Sequence, residues 1–430
     1  MLTSSNKKIF ALADVNSMYV SCELVFRPDL RGKAVVVLSN NNGCIIAQNE
    51  EAKLLIDIYM CKPWFEVSAL AAKLGITHFA SHYELYANMS NRFITTLRTF
   101  TPNLEVYSID ECFLDLTGMK RDLVAYGQDI KRTVRQWTGL PICVGIAHTK
   151  TLAKLANHTA KKKKEFEGVC DFTSMPESEI EKLMLALPLK KVWGVGTQLE
   201  AALNALGVDN VLRLKNASPK RIRDRFGVVL ERTVRELNGE CWLELDELQP
   251  ETKQVMSSRS FGTRVTSLSD LEEAISYHAT MACARMRKKG MYAQMVYIFI
   301  QNSPFDKADF EPLHRTIGLP SPTNDTIKVA NAALWCLKKI YKPNVHYQKC
   351  GVMLMDLVSE GGQQLDIFGY SNNNEKSKVL METMDRVNKK YARGTIRLAS
   401  EGMNKSWAMN RDFKSPNYTG DWNELPVIGR

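Results

Sequence analysis

The chain has 430 residues, too many for one hydrophobic core, and predicts about three or four domains. Its 57 Lys and Arg against 47 Asp and Glu leave a formal charge of +10, which favours a polyanionic partner, nucleic acid before an acidic membrane. No apolar run is long enough to span a bilayer, the start lacks a signal-peptide cleavage pattern, and the ten cysteines include no Cys-x-x-Cys pair, so a cytosolic protein with reduced thiols is expected.

In chain order, a short apolar strand over Ile9–Ala13 ends in Asp14. An insertion from about Met18 to Ser81 carries a strand at Ala34–Leu38 and a helical stretch at Asn49–Ile56. The runs Leu104–Ile109 and Cys112–Thr117 then predict two strands, with Asp110 and Glu111 at the reversal between them, because carboxylates inside a buried strand are too costly. A helix over Arg121–Trp137, a strand over Ile142–Ala147 and a helix from Lys150 complete an α/β or α+β layer that the chain leaves and re-enters. From 171 to 239 the pattern is wholly helical. Within it, Trp193-Gly194-Val195-Gly196 followed by Leu199, Leu203 and Leu206 resembles a helix-hairpin-helix, whose glycines let backbone amides approach a phosphate; a plain helix turn fits those residues equally.

Residues 241–253, acidic and holding Pro250, predict a linker. After it come strand Val255–Val265, helix Asp270–Lys289, strands Met291–Gln301 and Glu311–Gly318, helix Thr326–Ile340 and strand Tyr347–Leu357, the order β-α-β-β-α-β of a ferredoxin-like module. The remainder, 359–430, has Asn-rich and Pro-containing stretches and is expected to be only partly ordered by itself.

Three acids delivered by strand ends can converge on one point, and hard divalent cations such as Mg²⁺ take carboxylate and carbonyl oxygens. A single acid of this kind is more often an exposed turn residue, so the weight rests on the rest of the chain. That rest agrees. Asp14-Val15-Asn16-Ser17-Met18-Tyr19-Val20-Ser21-Cys22-Glu23, then Ser108-Ile109-Asp110-Glu111, then Gly145-Ile146-Ala147 leading into Lys150-Thr151-Leu152-Ala153-Lys154, resemble in order and spacing the signature segments of the Y-family translesion DNA polymerases. Phe26-Arg27-Pro28-Asp29-Leu30, Tyr83-Glu84-Leu85-Tyr86-Ala87 and Val229 to Leu237 carry the likeness, over nearly the whole chain, to the catalytic-subunit (UmuC) type of bacterial DNA polymerase V.

The resemblance implies an α+β right-hand polymerase: palm at 1–17 and 82–170, fingers at 18–81, helical thumb at 171–240, linker at 241–254, a ferredoxin-like little finger at 255–358 and a tail at 359–430 with a clamp-binding peptide. It implies an error-prone nucleotidyltransferase of the SOS response, with Asp14, Asp110, Glu111 and the Val15 carbonyl holding two Mg²⁺. Asn16 stands where the wider family often has Asp. Tyr19 is the implied steric gate against a 2′-hydroxyl, and Lys53 and Lys154 the implied triphosphate contacts, although Glu50 stands where many relatives have Tyr. Lys150, one helical turn before Lys154, suits either a triphosphate or a solvated basic face. The run Lys161–Lys164, the cluster Lys220, Arg221, Arg223 and Arg225, the glycines Gly194 and Gly196, and Arg259 and Arg264 on the first little-finger strand are candidate DNA contacts. Gln364, Leu365, Ile367 and Phe368 resemble the peptide by which bacterial polymerases dock on the sliding clamp. Implied partners are primer-template DNA, deoxynucleoside triphosphates, the clamp, a UmuD-type dimer and a RecA filament, with no membrane. Two other readings are a different two-metal palm enzyme, such as a nucleotide cyclase, and a catalytically silent DNA-binding scaffold.

Overall fold

The computed structural model of the chain describes residues 7–55, 61–245, 252–305, 310–359, 374–403, 407–408 and 412–425. Two compact units divide it, one formed by residues 1–39, 43–249 and 413–430, the other by 40–42 and 250–412.

The first unit runs β1 (Phe10–Val15), α1 (Met18–Phe26), β2 (Val35–Leu38), β3 (Ile45–Gln48), α2 (Glu50–Leu55), α3 (Trp64–Lys73), β4 (Thr77–Ala80), α4 (Tyr83–Leu97), β5 (Leu104–Val106), β6 (Glu111–Asp115), α5 (Leu123–Thr138), β7 (Ile142–Ala147), α6 (Lys150–Lys162) and β8 (Val169–Asp171). Five helices follow: α7 (Glu177–Leu185), α8 (Thr197–Asn204), α9 (Val211–Lys215), α10 (Pro219–Phe226) and α11 (Val228–Leu237). Its main sheet has the order β5-β6-β1-β7-β8, with β1 antiparallel to both neighbours and β7 parallel to β8. Both faces of this sheet are covered, so the strand sequences are continuously apolar rather than alternating. Ala11, Ala13 and Val15 of β1 join the core on one face, while Leu12 joins Phe113 and the helix α6 on the other.

Sequence periodicity found the strands that are long and apolar and passed over short ones. β3, β4 and β8 have three or four residues each, too few for a two-residue period to stand out. The insertion therefore forms a three-stranded sheet of order β3-β2-β4 rather than carrying a lone strand.

The second unit runs β9 (Gln254–Val265), α12 (Leu268–Arg287), β10 (Met291–Gln301), β11 (Pro312–Thr323), α13 (Thr326–Ile340), β12 (Tyr347–Ser359) and α14 (Asn374–Lys390). The β-α-β-β-α-β order is present. Element order alone leaves the pairing open, and here the sheet is antiparallel throughout in the order β11-β10-β12-β9, with the first and last strands adjacent. Val296, Ile298, Ile300, Cys350, Val352 and Leu354 are buried beneath the helices. Phe299 lies over Gly351 on the other face, where a Cβ would stand 2.6 Å from the ring, so a side chain there would displace it.

The tail is more integrated than its composition suggests. Arg287 holds Asp385 of α14 through two hydrogen bonds of 2.7 and 2.8 Å, Glu401 accepts from Thr280 at 2.7 Å, and Trp407 packs its ring against Phe261, Tyr277 and His278. Residues 413–425 belong to the first unit, where Tyr418 stacks on Phe26 at 4.7 Å. A few widely spaced anchors do this, which no local apolar period reveals.

Candidate active site

Alternation along β1 decides where the acids point. Asp14 shares the α6-facing side of the strand with Leu12, and in the antiparallel register with β6 it stands opposite Glu111, as Leu12 stands opposite Phe113. The backbone N–H of Val15 donates to the carbonyl of Asp110 at 2.9 Å, which ties the third acid to the same strand end. The Asp110 carboxylate accepts from the Ser108 hydroxyl at 2.6 Å.

Helix α6 brings positive charge to this edge. The Thr149 side chain caps it by accepting from the Leu152 N–H at 3.2 Å. Gly145 on β7 lets the helix approach so closely that a Cβ there would meet the Asn157 amide nitrogen at 2.1 Å and the Ala153 carbonyl oxygen at 2.3 Å. Asn157 then stitches helix to sheet, donating to the carbonyls of Leu12 and Cys143 at 3.1 and 2.9 Å. Residues 154 and 161 are seven apart and so lie on one helix face. Lys154 pairs with both carboxylate oxygens of Glu111 at 2.8 and 2.9 Å, and Lys161 pairs with Asp14 at 2.6 Å.

Burial pushes the Asp14 carboxyl up to about 6; the Lys161 ammonium opposes that rise, and the neighbouring Glu111 and Asp110 add to it. On the same helix His158 is pushed down to about 4 by burial and by Lys191, Lys162 and Lys161. The three lysines thus add to burial in keeping this histidine neutral. The acids and lysines border two clefts. One of about 430 Å³ is lined by Asp14, Tyr19, Gln48, Lys53, Asp110 and Lys161, and one of about 250 Å³ by Glu111, Lys154, His158, Lys191 and Trp193.

Tyr19 lines the larger cleft with its ring stacked on Tyr86 at 4.6 Å and edge-on to Tyr83 at 6.0 Å. Lys53 lines it too and pairs with Glu50 at 2.6 Å. Lys150 does not: only 3% of its side chain is exposed, and it is paired with Glu105 beside the ring of Phe113, so it is neither a solvated face nor a group free for phosphate. Lys161 is the residue that sequence reasoning placed elsewhere, in a basic run for DNA. Its seven-residue spacing from Lys154 was the available signal. The ring of Trp193 was also missed as a neighbour of the site; its Nε1 donates to the Tyr107 hydroxyl at 3.0 Å, and the Lys154 ammonium sits 4.5 Å from the Tyr107 ring and 5.3 Å from the Trp193 ring.

Gly194 has a φ of +86°, a left-handed conformation that favours glycine, and nothing lies within 4 Å of where a side chain would start at Gly194 or Gly196. Both precede α8. Arg259 and Arg264 do not present one surface: Arg259 is half-buried opposite the buried Cys350, while Arg264 is exposed beyond an irregularity in the pairing of β9. The clamp-like residues Gln364, Leu365, Ile367 and Phe368 lie outside the described residues.

The donor set at the strand ends, carboxylates plus a backbone carbonyl, suits a hard cation and no soft one. Among the described residues no three such side chains are gathered tightly enough to chelate an ion as they stand. Each acid instead holds a partner of its own, an ammonium at Asp14 and Glu111 and a hydroxyl at Asp110. The ammonium groups of Lys154 and Lys161 stand against two of the three carboxylates where a cation would, and the oxygen donors fit a hard cation by their chemistry.

Comparison with known proteins gives the family. The model of the impB/mucB/samB family matches residues 13–158, that of its C-terminal domain matches 252–367, and a domain of unknown function, DUF4113, matches 378–428. Protein UmuC of Salmonella typhimurium is 45% identical, covering 97% of this chain and 99% of that protein, and protein MucB of Escherichia coli is 40% identical over 97% and 99%. A solved Y-family DNA polymerase chimera, Dbh-Dpo4(243-245)-Dbh, shares the fold at a TM-score of 0.65 and 18% identity, covering 82% of this chain and all of that one. No helix among the described residues is long and apolar enough to cross a membrane. With family models matching both parts of the chain and relatives this similar end to end, the chain belongs to the impB/mucB/samB family, the UmuC type of Y-family DNA polymerases.

Proposed function

We propose that this DNA-directed DNA polymerase carries out nucleotidyl transfer at the cleft edged by Asp14, Asp110 and Glu111. Its activity is translesion synthesis, the addition of deoxynucleotides to a primer 3′ end opposite damaged template, in the SOS response. Y-family enzymes are metal-dependent, generally on Mg²⁺. Asp14, Asp110, Glu111 and the Val15 carbonyl are the residues that would hold two such ions, which when bound supply an activated 3′-hydroxyl and charge neutralisation on the phosphates.

The chain's own groups bind and orient. Lys161 and Lys53 face the larger cleft and take phosphate oxygens of the incoming nucleotide, and Lys154 does so from the adjoining one. A triphosphate entering there competes with Asp14 and Glu111 for the ammonium groups, which frees those carboxylates. The flat ring of Tyr19, backed by Tyr86, closes the sugar side of the cleft against a 2′-hydroxyl. The open backbone around Gly194 and Gly196 and the exposed Arg264 take DNA phosphates, whereas Arg259, half-buried, acts from within the sheet. The peptide around Gln364, Leu365, Ile367 and Phe368 docks on the sliding clamp, and a UmuD-type dimer and a RecA filament complete the assembly.

The observation that carries this reading is the register that sets Asp14 opposite Glu111 with Asp110 bonded to the next residue. Primer extension on a template with an abasic site tests it. Asp110→Ala and Glu111→Ala should each lower incorporation by about a thousandfold or more. Synthesis at the parental rate in either variant overturns the assignment.

A further inference from the structure

Behind Tyr19, on the side away from the cleft, lies a buried polar cluster that the chemistry does not use. Glu23 is one helical turn after Tyr19 on α1 and wholly buried. Its Oε1 accepts from the Tyr86 hydroxyl at 2.7 Å, and Tyr86 is the ring on which Tyr19 stacks, 4.6 Å away and within 17° of parallel. Among the described residues no hydrogen-bond partner meets the Oε2 of Glu23. From the far end of the chain the Ser415 hydroxyl stands 2.9 Å from Nδ1 of His82, the residue just before α4 whose carbonyl accepts from the Tyr86 N–H at 3.1 Å, and it also pulls the Glu23 carboxyl down against burial.

Ser415 is held there from both sides. The N–H of Ala80 donates to the Phe413 carbonyl at 2.9 Å, and Lys414 makes a parallel bridge with Ala80, so the segment lies along β4. The Phe413 ring meets His78 at 4.6 Å, and the Tyr418 ring stacks on Phe26 at the end of α1. Ser415 itself is 5% exposed. Residues 413–418 therefore clasp the two helices, α1 and α4, that supply Tyr19 and Tyr86, and bond one hydroxyl to His82 at the start of the helix that carries Tyr86. This segment falls within the match to a domain of unknown function.

We infer that residues 413–418 position the sugar gate, with Ser415 acting through His82 and Tyr86 to fix the ring of Tyr19. The inference rests on the reading of Tyr19 as the gate. A buried hydroxyl bonded to the residue that precedes α4 restricts the turn carrying Tyr86, whose own hydroxyl is held by Glu23. If that turn shifts, the Tyr86 hydroxyl leaves its acceptor and the ring behind Tyr19 moves with it. Ser415 is thus a positioning residue far in sequence from the reaction.

The test is the ratio of kcat/KM for a deoxynucleotide to that for the matching ribonucleotide, measured by primer extension with the full-length chain. Ser415→Ala and Tyr86→Phe should each lower this discrimination about three- to tenfold, through loss of one buried hydrogen bond. Ser415→Thr, which keeps the hydroxyl, should retain the parental ratio, as should Trp422→Ala at an exposed site on the same segment. A general loss of packing would slow both nucleotides and leave the ratio alone. Parental discrimination in Ser415→Ala or in Tyr86→Phe, or an equal shift in Trp422→Ala, overturns the inference while Tyr19→Ala still admits ribonucleotides. Should Ser415→Ala fail to fold, Tyr86→Phe decides alone, since it removes one oxygen from a ring that stays packed. Parental discrimination in Tyr19→Ala removes the gate reading, and this one with it.

Discussion

Two carboxyls nine residues apart, Asp14 on β1 and Glu23 on the following helix α1, are stabilised by opposite means. Asp14 faces the cleft, is pushed up to about 6, and meets a lysine ammonium together with two more acids. Glu23 faces away, is pushed up to about 7 by burial, and meets only the hydroxyls of Tyr86 and Ser415, which pull it down. A cation partner is exchangeable, because a phosphate or a metal ion competes for either half of the pair. Hydroxyl partners are not, so the second site is suited to holding shape and the first to releasing its partner. The molecule separates a site that must change from a scaffold that must not by the charge of the groups that answer each carboxyl.

The largest effect that sharpens this contrast is expected at Gly145. Ala at this position would press a methyl group against the backbone of α6, which cannot yield as a side-chain tip does. Overpacking of this kind costs about 3 kcal/mol. Denaturant unfolding of Gly145→Ala should show that loss, with incorporation reduced because both lysines ride on the helix; a variant at parental stability would break the link between helix seating and site.

Next comes Glu23→Gln. A carboxyl whose folded pKa, about 7, exceeds its ordinary value of 4.5 stabilises the fold fully below about 4.5 and loses that contribution as the pH rises to 7, where the folded state must give up its proton. The parent should therefore lose up to about 3 kcal/mol across that window, and the glutamine variant should not. Midpoints measured at pH 5 and pH 8 check this: similar stability at pH 5 and a more stable variant at pH 8 are expected. An identical pH response would mean that Glu23 is answered by more than hydroxyls.

The smallest effect is at Lys161. Lys161→Met should raise the KM for the incoming nucleotide about tenfold, which corresponds to about 1.4 kcal/mol, with a lesser change in kcat. Steady-state incorporation at increasing nucleotide concentration measures it. A fall in kcat alone would place the ammonium on the acids throughout the reaction instead of on the phosphates.

How much of this was legible beforehand depended on how local the signal is. Asp14 ends an apolar strand and Asp110 and Glu111 follow another, so the acids could be found and their convergence expected from strand ends alone. The β-α-β-β-α-β order came from long amphipathic runs, but its strand order came from which edges bury best, and no run of residues encodes that. Lys150, Lys154 and Lys161 look alike in the sequence. Their fates diverge because Glu105, Glu111 and Asp14 come from three different strands.

Neighbouring residues suffice for the longer elements, the acids at their ends and the family, because backbone periodicity and turn chemistry act over short stretches. Folding as a whole fixes which lysine answers which acid, that β3, β4 and β8 form, and that Ser415 lies against His82, 333 residues earlier. Those outcomes depend on burial, and burial is set by surfaces that meet only when the whole unit has closed.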